Sequence, residues 1–298
     1  MSELDKILSK LTDAPDSFVS KLPDIEKQIF GEIVTSVKSL QIDQSGRVVP
    51  NIENLKVIST IKIKLEKVLL SIDYKSAVKD FVKEFNNISN LGAEYFNFNA
   101  LPNNEMFKAI KDIAIDNTLE SLTGTGYTST VVSKLGDMLV KSVTSGGMYN
   151  DLVEGLRTEL LTTDKSTGLL SRYANVYVGD ALSQFSGQQM ALMAEGLNSK
   201  WFRYVGSLKE TSREFCILLT KKEYIHKSEL SEILKGRIDG HQCKIYQKTG
   251  LPLGMMDGTN VNNFIVYKGG HKCDHALVPI NEVTVPKHLR DKFANKSL

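Results

Sequence analysis

Residues 196–205 read GLNSKWFRYV, and the sequence changes character within them. Before this stretch, apolar residues recur at spacings of three and four, which is typical of amphipathic helices. From Trp201 onward, aromatic and β-branched residues follow one another directly, which is typical of strands. The charge changes at the same place, because residues 1–199 carry 20 Lys and Arg against 25 Asp and Glu, whereas residues 200–298 carry 17 against 10. We therefore predict a domain boundary at residues 199–200.

The pattern predicts an α+β fold with two parts. The first, residues 1–199, is an elongated, mainly helical body with a sub-boundary near residues 95–103. The second, residues 200–298, is a small mixed α/β domain. Helices are predicted at 4–11, 24–40, 54–72, 75–88, 104–122, 127–143, 148–162 and 171–197, with Pro15 and Pro23 as interruptions. Strands are predicted at 202–205, 264–267 and 276–280, with a short helix near 228–236, and Pro279 should confine the last strand to a sheet edge.

The predicted helix 171–197 carries small residues at four-residue steps. Gly179, Ser183 and Gly187 form one stripe along it. Glycine costs about 1 kcal/mol in a helix interior, so two of them need a packing reason. We expect this stripe to let another segment approach the helix closely.

The composition excludes several protein classes. The chain is 41% hydrophobic and 24% charged, which is ordinary for a folded protein and excludes a disordered chain. It contains no apolar run of the roughly 18 residues that a membrane span requires. Its start lacks the basic-then-apolar order of a secretory signal, and three cysteines do not make a disulfide scaffold. Residues 124–126 read GTG without the Lys that follows in a phosphate loop, so we interpret them as a turn between helices.

All three cysteines and four of the five histidines lie within residues 216–275. If residues 271–275 form a strand, His271, Cys273 and His275 share one face, which should pack toward Cys216. These four side chains offer the thiolate and imidazole donors that zinc prefers. No CxxC pair is present, so we expect no cofactor, with reduced cysteines and with histidines that donate hydrogen bonds to backbone carbonyls. Zinc on these four residues stays open as the alternative.

Two further interpretations concern the segment 211–216, which reads TSREFC. Arg213 has a planar fork suited to bridging carbonyls or a carboxylate, so the segment is expected to fix a loop by hydrogen bonds. Cys216 or Cys273 beside a histidine would also be the arrangement of a nucleophile and its base. Apolar neighbours, such as Phe215 and Ile217 beside Cys216, argue against this, because buried thiols are usually inert.

Three runs together resemble one protein family. They are WFRYVG at 201–206, TSREFC at 211–216 and YKGGHKCDHALVP at 267–279, preceded by the helix at 172–197. This order is similar to the Mu F-like phage head morphogenesis family, the minor head proteins, although Ser212-Arg213 stands where Thr-Arg is commoner. The runs IDQSG at 42–46 and NIENL at 51–55 also resemble the N-terminal part of such proteins. The residues that the resemblance marks as structural are Trp201, Thr211, Arg213, Cys216, Gly269, Gly270, Cys273, His275 and Pro279.

The resemblance implies a function that the composition alone does not. It implies a non-enzymatic minor capsid protein of a tailed phage, made in the host bacterial cytoplasm and assembled into the virion near the portal. The expected partners are portal, capsid or scaffold proteins, and packaged DNA for the basic C-terminal domain, with no membrane. One alternative is a phage-delivered nuclease, transferase or toxin that uses the C-terminal Cys/His cluster. Another is a regulatory or adaptor protein of the host cytoplasm.

Overall fold

The computed structural model describes residues 2–69, 72–96 and 104–294. The N-terminal two-thirds is built of helices. They are α1 (Glu3–Ser20), α2 (Leu22–Val37), α3 (Ile52–Leu69), α4 (Ile72–Tyr95), α5 (Asn104–Thr123), the single turn α6 (Thr125–Tyr127), a π-helical turn (Thr128–Val132), α7 (Ser133–Thr144), α8 (Tyr149–Leu160) and α9 (Leu169–Gly196). In the described part of the chain, no helix is both long and apolar enough to cross a membrane.

The C-terminal third is mixed. It contains, in order, β1 (Trp201–Val205), α10 (Glu214–Lys222), β2 (Tyr224–His226), α11 (Leu230–Leu234), β3 (Arg237–Ile238), β4 (His241–Gln242), α12 (Phe264–Tyr267), β5 (Ala276–Ile280) and α13 (Lys287–Phe293). Strands β2, β1 and β5 form an antiparallel sheet in that spatial order, and β3 pairs with β4. Trp201 pairs with His226 on one side of β1 and with Ile280 on the other. The fold is therefore α+β and mainly helical, as predicted.

The chain forms two compact units whose segments alternate along the sequence. The helical unit consists of Ala14–Lys83 and Ile115–Val178, and the mixed unit consists of Met1–Asp13, Glu84–Ala114 and Gly179–Leu298. These ranges do not coincide with 1–199 and 200–298. Helix α9 ends at Gly196 and β1 begins at Trp201, on either side of the predicted boundary. That residues 1–199 and 200–298 fold as separate domains stays a prediction. The proposed sub-boundary near 95–103 falls largely on residues 97–103, outside the described residues.

The helical predictions agree with the structure except at Pro15, which was expected to interrupt the first helix. Instead α1 continues through Pro15 to Ser20. A proline removes one helical hydrogen bond. Phe18, one turn later, is buried and packs against Phe81, with 5.4 Å between the ring centroids. We attribute the continuation of α1 to this aromatic burial.

A buried amide fixes the turn between α2 and α3 in the helical unit. The Asn54 side chain accepts a hydrogen bond from the Gln41 backbone N–H at 2.8 Å and donates to the carbonyls of Gln41 and Val49. Within the loop, Asp43 Oδ1 accepts from the backbone N–H groups of Ser45 and Arg47. Side-chain hydrogen bonds of Asn54 therefore hold the base of the connection between α2 and α3, and those of Asp43 hold the turn at residues 43–46 within it.

One of the three strands predicted for the mixed unit is wrong. Residues 264–267 were expected to form a strand but form the short helix α12, in which Phe264 and Ile265 are buried. A four-residue apolar run has no period that separates strand from helix, so its packing decides. The strands predicted at 202–205 and 276–280 are confirmed as β1 and β5, and β5 is an edge strand as Pro279 indicated. Residues 214–222, for which no element was predicted, form α10.

Part of the small-residue stripe on α9 explains the position of α12. A Cβ atom at Gly187 would lie 2.7 Å from the Cα and the carbonyl oxygen of Val266 and 2.9 Å from that of Ile265. The backbone of α12 therefore rests directly on Gly187. Ser183, one turn earlier, donates a hydrogen bond to the Cys273 carbonyl at 3.0 Å. Gly179 has open space around it, so only two members of the stripe make the close approach that we predicted.

The difference between the crowded surroundings of Gly187 and the open space at Gly179 gives a matched pair of variants. Gly187→Ala should destabilise the protein by about 1–3 kcal/mol, because the new methyl group meets backbone atoms that cannot turn aside. Gly179→Ala should stabilise it by about 0.5–1 kcal/mol, because alanine is the better helix former and meets no atom. Denaturant unfolding of both variants measures the difference. Equal effects of the two substitutions would contradict the close packing at Gly187.

Candidate functional site

Three buried side chains with metal-binding donors meet in the mixed unit. Cys216 comes from the first turn of α10, and Cys273 and His275 come from the loop that leads into β5. One donor atom from each lies within 4.8 Å of the others. We call these three residues the cysteine–histidine cluster. The predicted packing of Cys273 and His275 toward Cys216 is therefore confirmed.

Tyr204 of β1 completes the surroundings of the cluster. Its hydroxyl donates a hydrogen bond to Cys216 Sγ at 3.5 Å and lies 3.6 Å from Cys273 Sγ. Its ring stacks on the His275 imidazole, with 5.1 Å between the centroids and 19° between the planes. The His275 Nδ1 atom lies 3.7 Å from Cys273 Sγ. Four soft or polar donors thus converge on one small volume of the core.

The segment that carries Cys273 is held by Arg213, as the fork geometry suggested. One terminal nitrogen donates to the Gly269 carbonyl at 2.8 Å, and the other donates to the His271 carbonyl. Gly254 leaves the room that the guanidinium needs, since a Cβ atom there would overlap it. Arg213 therefore ties the start of α10 to the loop that ends in the cluster.

The two consecutive glycines are needed for different reasons. A Cβ atom at Gly269 would lie 2.6 Å from Cys216 Sγ and 2.7 Å from Cys273 Sγ, so the bare backbone at Gly269 covers both sulfurs. Gly270 has a φ of 89°, which favours glycine, and its α-carbon faces the Gly254 carbonyl at close range. Any side chain at either position would push the loop away from the cluster.

His271 lies outside the cluster, so its expected place beside Cys273 and His275 is wrong. Residues 271–275 form a turn and a loop rather than a strand, and Lys272 has a φ of 52°. Alternation of side chains applies only to extended backbone. His271 is exposed, and its Nδ1 lies 2.7 Å from Asp180 Oδ2, while the Lys272 N–H donates to Asp180 Oδ1. Its role is to anchor this turn on α9.

The histidines do not make the carbonyl hydrogen bonds that we expected of a metal-free site. His275 Nε2 is buried and has no hydrogen-bond partner among the described residues. His275 Nδ1 faces the Cys273 sulfur, and His271 Nδ1 faces a carboxylate. Thr211, which the resemblance marks as structural, is exposed and separate from the cluster. The third cysteine, Cys243, is buried next to Gly236 and also lies outside the cluster.

Lys268 is a buried polar residue near the cluster that the sequence analysis did not predict, as is Tyr204. Its side chain is fully buried, and its Nζ donates to the Ser183 carbonyl at 2.8 Å and contacts Ser183 Oγ at 3.1 Å. Burial lowers the pKa of Lys268 to about 8, although the charges of Cys273 and Asp274 act in the opposite direction. No sequence pattern marks a lysine for burial, and only the small residue at 183 hinted at a close neighbour.

The two clustered thiols differ in acidity because they share a hydrogen bond. The bond from Cys216 lowers the pKa of Cys273 well below its ordinary value, and His275 and Lys268 lower it further. The same bond and burial raise the pKa of Cys216. Cys273 is therefore the more acidic thiol of the pair. A thiol of lowered pKa can act as a metal ligand or a nucleophile, but exposures of 3% for Cys216 and 4% for Cys273 close the pair to large substrates.

Trp201 heads a second buried group on the same sheet. Its ring meets Phe293 of α13 edge to face at 5.3 Å and lies 4.9 Å from the His226 ring. It is 3% exposed, so the only tryptophan of the chain is buried. β1 therefore connects the two groups, with Trp201 at one end and Tyr204 near the other.

Comparisons were made with protein-family models, with curated proteins and with solved structures. None of the three gave a match to this chain.

Proposed function

We propose that this chain is a structural, non-enzymatic minor capsid protein of a tailed phage, assembled in the head near the portal. The observation that carries the proposal is the burial of the residues on which the family resemblance rests. Seven of the nine are buried together in the mixed unit: Trp201, Cys216, Gly269, Gly270, Cys273, His275 and Pro279. Arg213, an eighth, ties the segments that hold them. Motif residues that are buried in the core stabilise the fold.

The same burial argues against the alternative of a phage-delivered enzyme. A nucleophilic thiol must reach the atom it attacks, which requires access from a cleft. Cys216 is covered by the Tyr204 hydroxyl and by the backbone of Gly269. A thiol covered in this way is better placed to hold neighbouring segments than to attack a nucleic acid or a protein.

The proposal includes contact between the basic C-terminal region and packaged DNA. Exposed lysines are spread over this region, at Lys200, Lys221, Lys227, Lys244, Lys248 and Lys272. Lysine ammonium groups bind phosphates without reading the base sequence, and each phosphate contact makes the affinity depend on salt. Binding should therefore be equal for duplexes of different sequence and should weaken as salt is raised.

A cysteine pair tests the structural role against the enzymatic one. Cys216→Ser should lower the stability of the chain and the yield of infectious particles, because the serine hydroxyl cannot replace the buried sulfur contacts. Cys243→Ser is the control, since Cys243 is also buried but lies outside the cluster. The measurements are thermal unfolding of the purified chain and particle yield after complementation of a phage that lacks the gene.

The enzymatic alternative predicts a different result from the same proteins. A purified wild-type chain that cleaves DNA or RNA, or modifies a host protein, and loses that turnover in Cys216→Ser while remaining folded, would overturn the proposal. Loss of particle yield without any detectable turnover supports it.

A further inference from the structure

We infer that the cysteine–histidine cluster binds one zinc ion per chain through Cys216 Sγ, Cys273 Sγ and His275 Nδ1, with Tyr204 Oη facing the fourth position. The inference concerns the fold of the mixed unit and does not depend on the proposed role in a phage head. The site differs from the one that the sequence left open, in which His271 was the fourth ligand. In the structure Tyr204, not His271, lies beside the other three residues.

The distances between the donor atoms fit a tetrahedral site. Zinc bonds of about 2.3 Å to sulfur and 2.0–2.1 Å to nitrogen separate neighbouring ligand atoms by about 3.3–3.8 Å when the angles are tetrahedral. The Tyr204 oxygen lies 3.5 and 3.6 Å from the two sulfurs, and His275 Nδ1 lies 3.7 Å from Cys273 Sγ. These three separations are those of neighbouring ligands in a tetrahedral site, and the donor atoms of Cys216, Cys273 and His275 all lie within 4.8 Å of one another.

The protein builds the site from rigid parts. Cys216 stands on α10 and Tyr204 on β1, while the loop that carries Cys273 and His275 is fixed by Arg213. Gly269 leaves both sulfurs room that any larger residue would fill. Preorganised ligands on separate elements are what a structural metal site requires, because the ion then links segments that are distant in sequence.

The buried imidazole directs one ring nitrogen at the sulfurs of the cluster. His275 Nδ1 lies 3.7 Å from Cys273 Sγ. A sulfur is a weak hydrogen-bond partner, whereas a zinc–imidazole bond is strong. Zinc accounts for the direction in which His275 Nδ1 points.

Metal analysis of the full-length chain tests the inference. The chain is produced with added zinc and without a metal-binding tag, and zinc is measured by elemental mass spectrometry. We expect one zinc per chain in the wild type and in the controls Cys243→Ser and His271→Asn. We expect loss of the zinc in Cys216→Ser and in Cys273→Ser. Removal of the metal by a chelator should lower the midpoint of thermal unfolding of the wild type.

A second measurement does not depend on whether the variants fold. Cobalt(II) in place of zinc should give the wild type the ultraviolet thiolate charge-transfer bands and the visible bands of a tetrahedral site. A wild-type chain that binds neither zinc nor cobalt would overturn the inference, as would a Cys216–Cys273 disulfide in the freshly isolated protein or equal zinc content in Cys273→Ser and Cys243→Ser.

Discussion

Replacing Trp201 with alanine is expected to lower the free energy of unfolding by about 3–5 kcal/mol, the usual cost of emptying a buried tryptophan site. The indole ring packs against Phe293 and His226, whose rings also stack on each other at 4.9 Å, and Val285 and Ile280 pack around the same group. Its removal leaves a cavity where β1 meets α13. Because β1 is the middle strand of the sheet, no neighbouring strand can shift to fill the space.

Denaturant unfolding measures this effect, and Tyr246→Ala is the control because Tyr246 is 51% exposed. The control should change stability by about 0.5 kcal/mol or less. The wild-type fluorescence should be blue-shifted relative to tryptophan in water, since Trp201 is the only tryptophan. A Trp201→Ala chain as stable as the control would contradict the packing described for β1.

Replacing Glu26 with alanine should cost a similar amount, about 3–5 kcal/mol, in the helical unit. Glu26 is fully buried on α2, and its two carboxylate oxygens accept hydrogen bonds at 2.9 Å from the backbone N–H groups of Thr162 and Ser171. Ser171 lies in the first turn of α9, where N–H groups have no helical partner. Alanine would leave the buried N–H of Ser171 and the partly buried N–H of Thr162 without Glu26 as their acceptor.

Glu26→Gln refines this prediction, because an amide oxygen replaces one acceptor but not both. We expect the free energy of unfolding of Glu26→Gln, measured in urea, to lie between those of the wild type and of Glu26→Ala. The control on the same helix is Glu32→Ala, at an exposed position, with an expected change of about 0.5 kcal/mol or less. Equal stability of Glu26→Ala and Glu32→Ala would show that Glu26 does not hold the start of α9.

The helical two-thirds was predictable because its core residues follow the helical period. In α3, for example, Ile58, Ile61 and Leu65 recur at three and four and are all buried. The strand β1 was predictable for a different reason, its run of aromatic and β-branched residues. What the period cannot show is a contact between segments that are distant in sequence. Glu26 is such a case, since its partners are more than 130 residues away.

The candidate site was predictable in its residue types but not in its geometry. The density of Cys and His in residues 216–275 marked the region, and Arg213 was correctly interpreted as a bridge between carbonyls. The grouping of His271 with Cys273 and His275 assumed a strand where the chain turns. Lys268 could not be found, because its burial depends on a carbonyl and a hydroxyl supplied by Ser183 on α9.

The proposed function is tested most directly by the protein content of purified virions. The phage whose genome encodes this chain is grown, DNA-filled particles are isolated, and the chain is quantified against the portal protein by mass spectrometry with labelled standard peptides. Our account predicts that the chain is present in few copies, at a fixed ratio to the portal subunits. A chain that is made in infected cells but is missing from DNA-filled particles would contradict it.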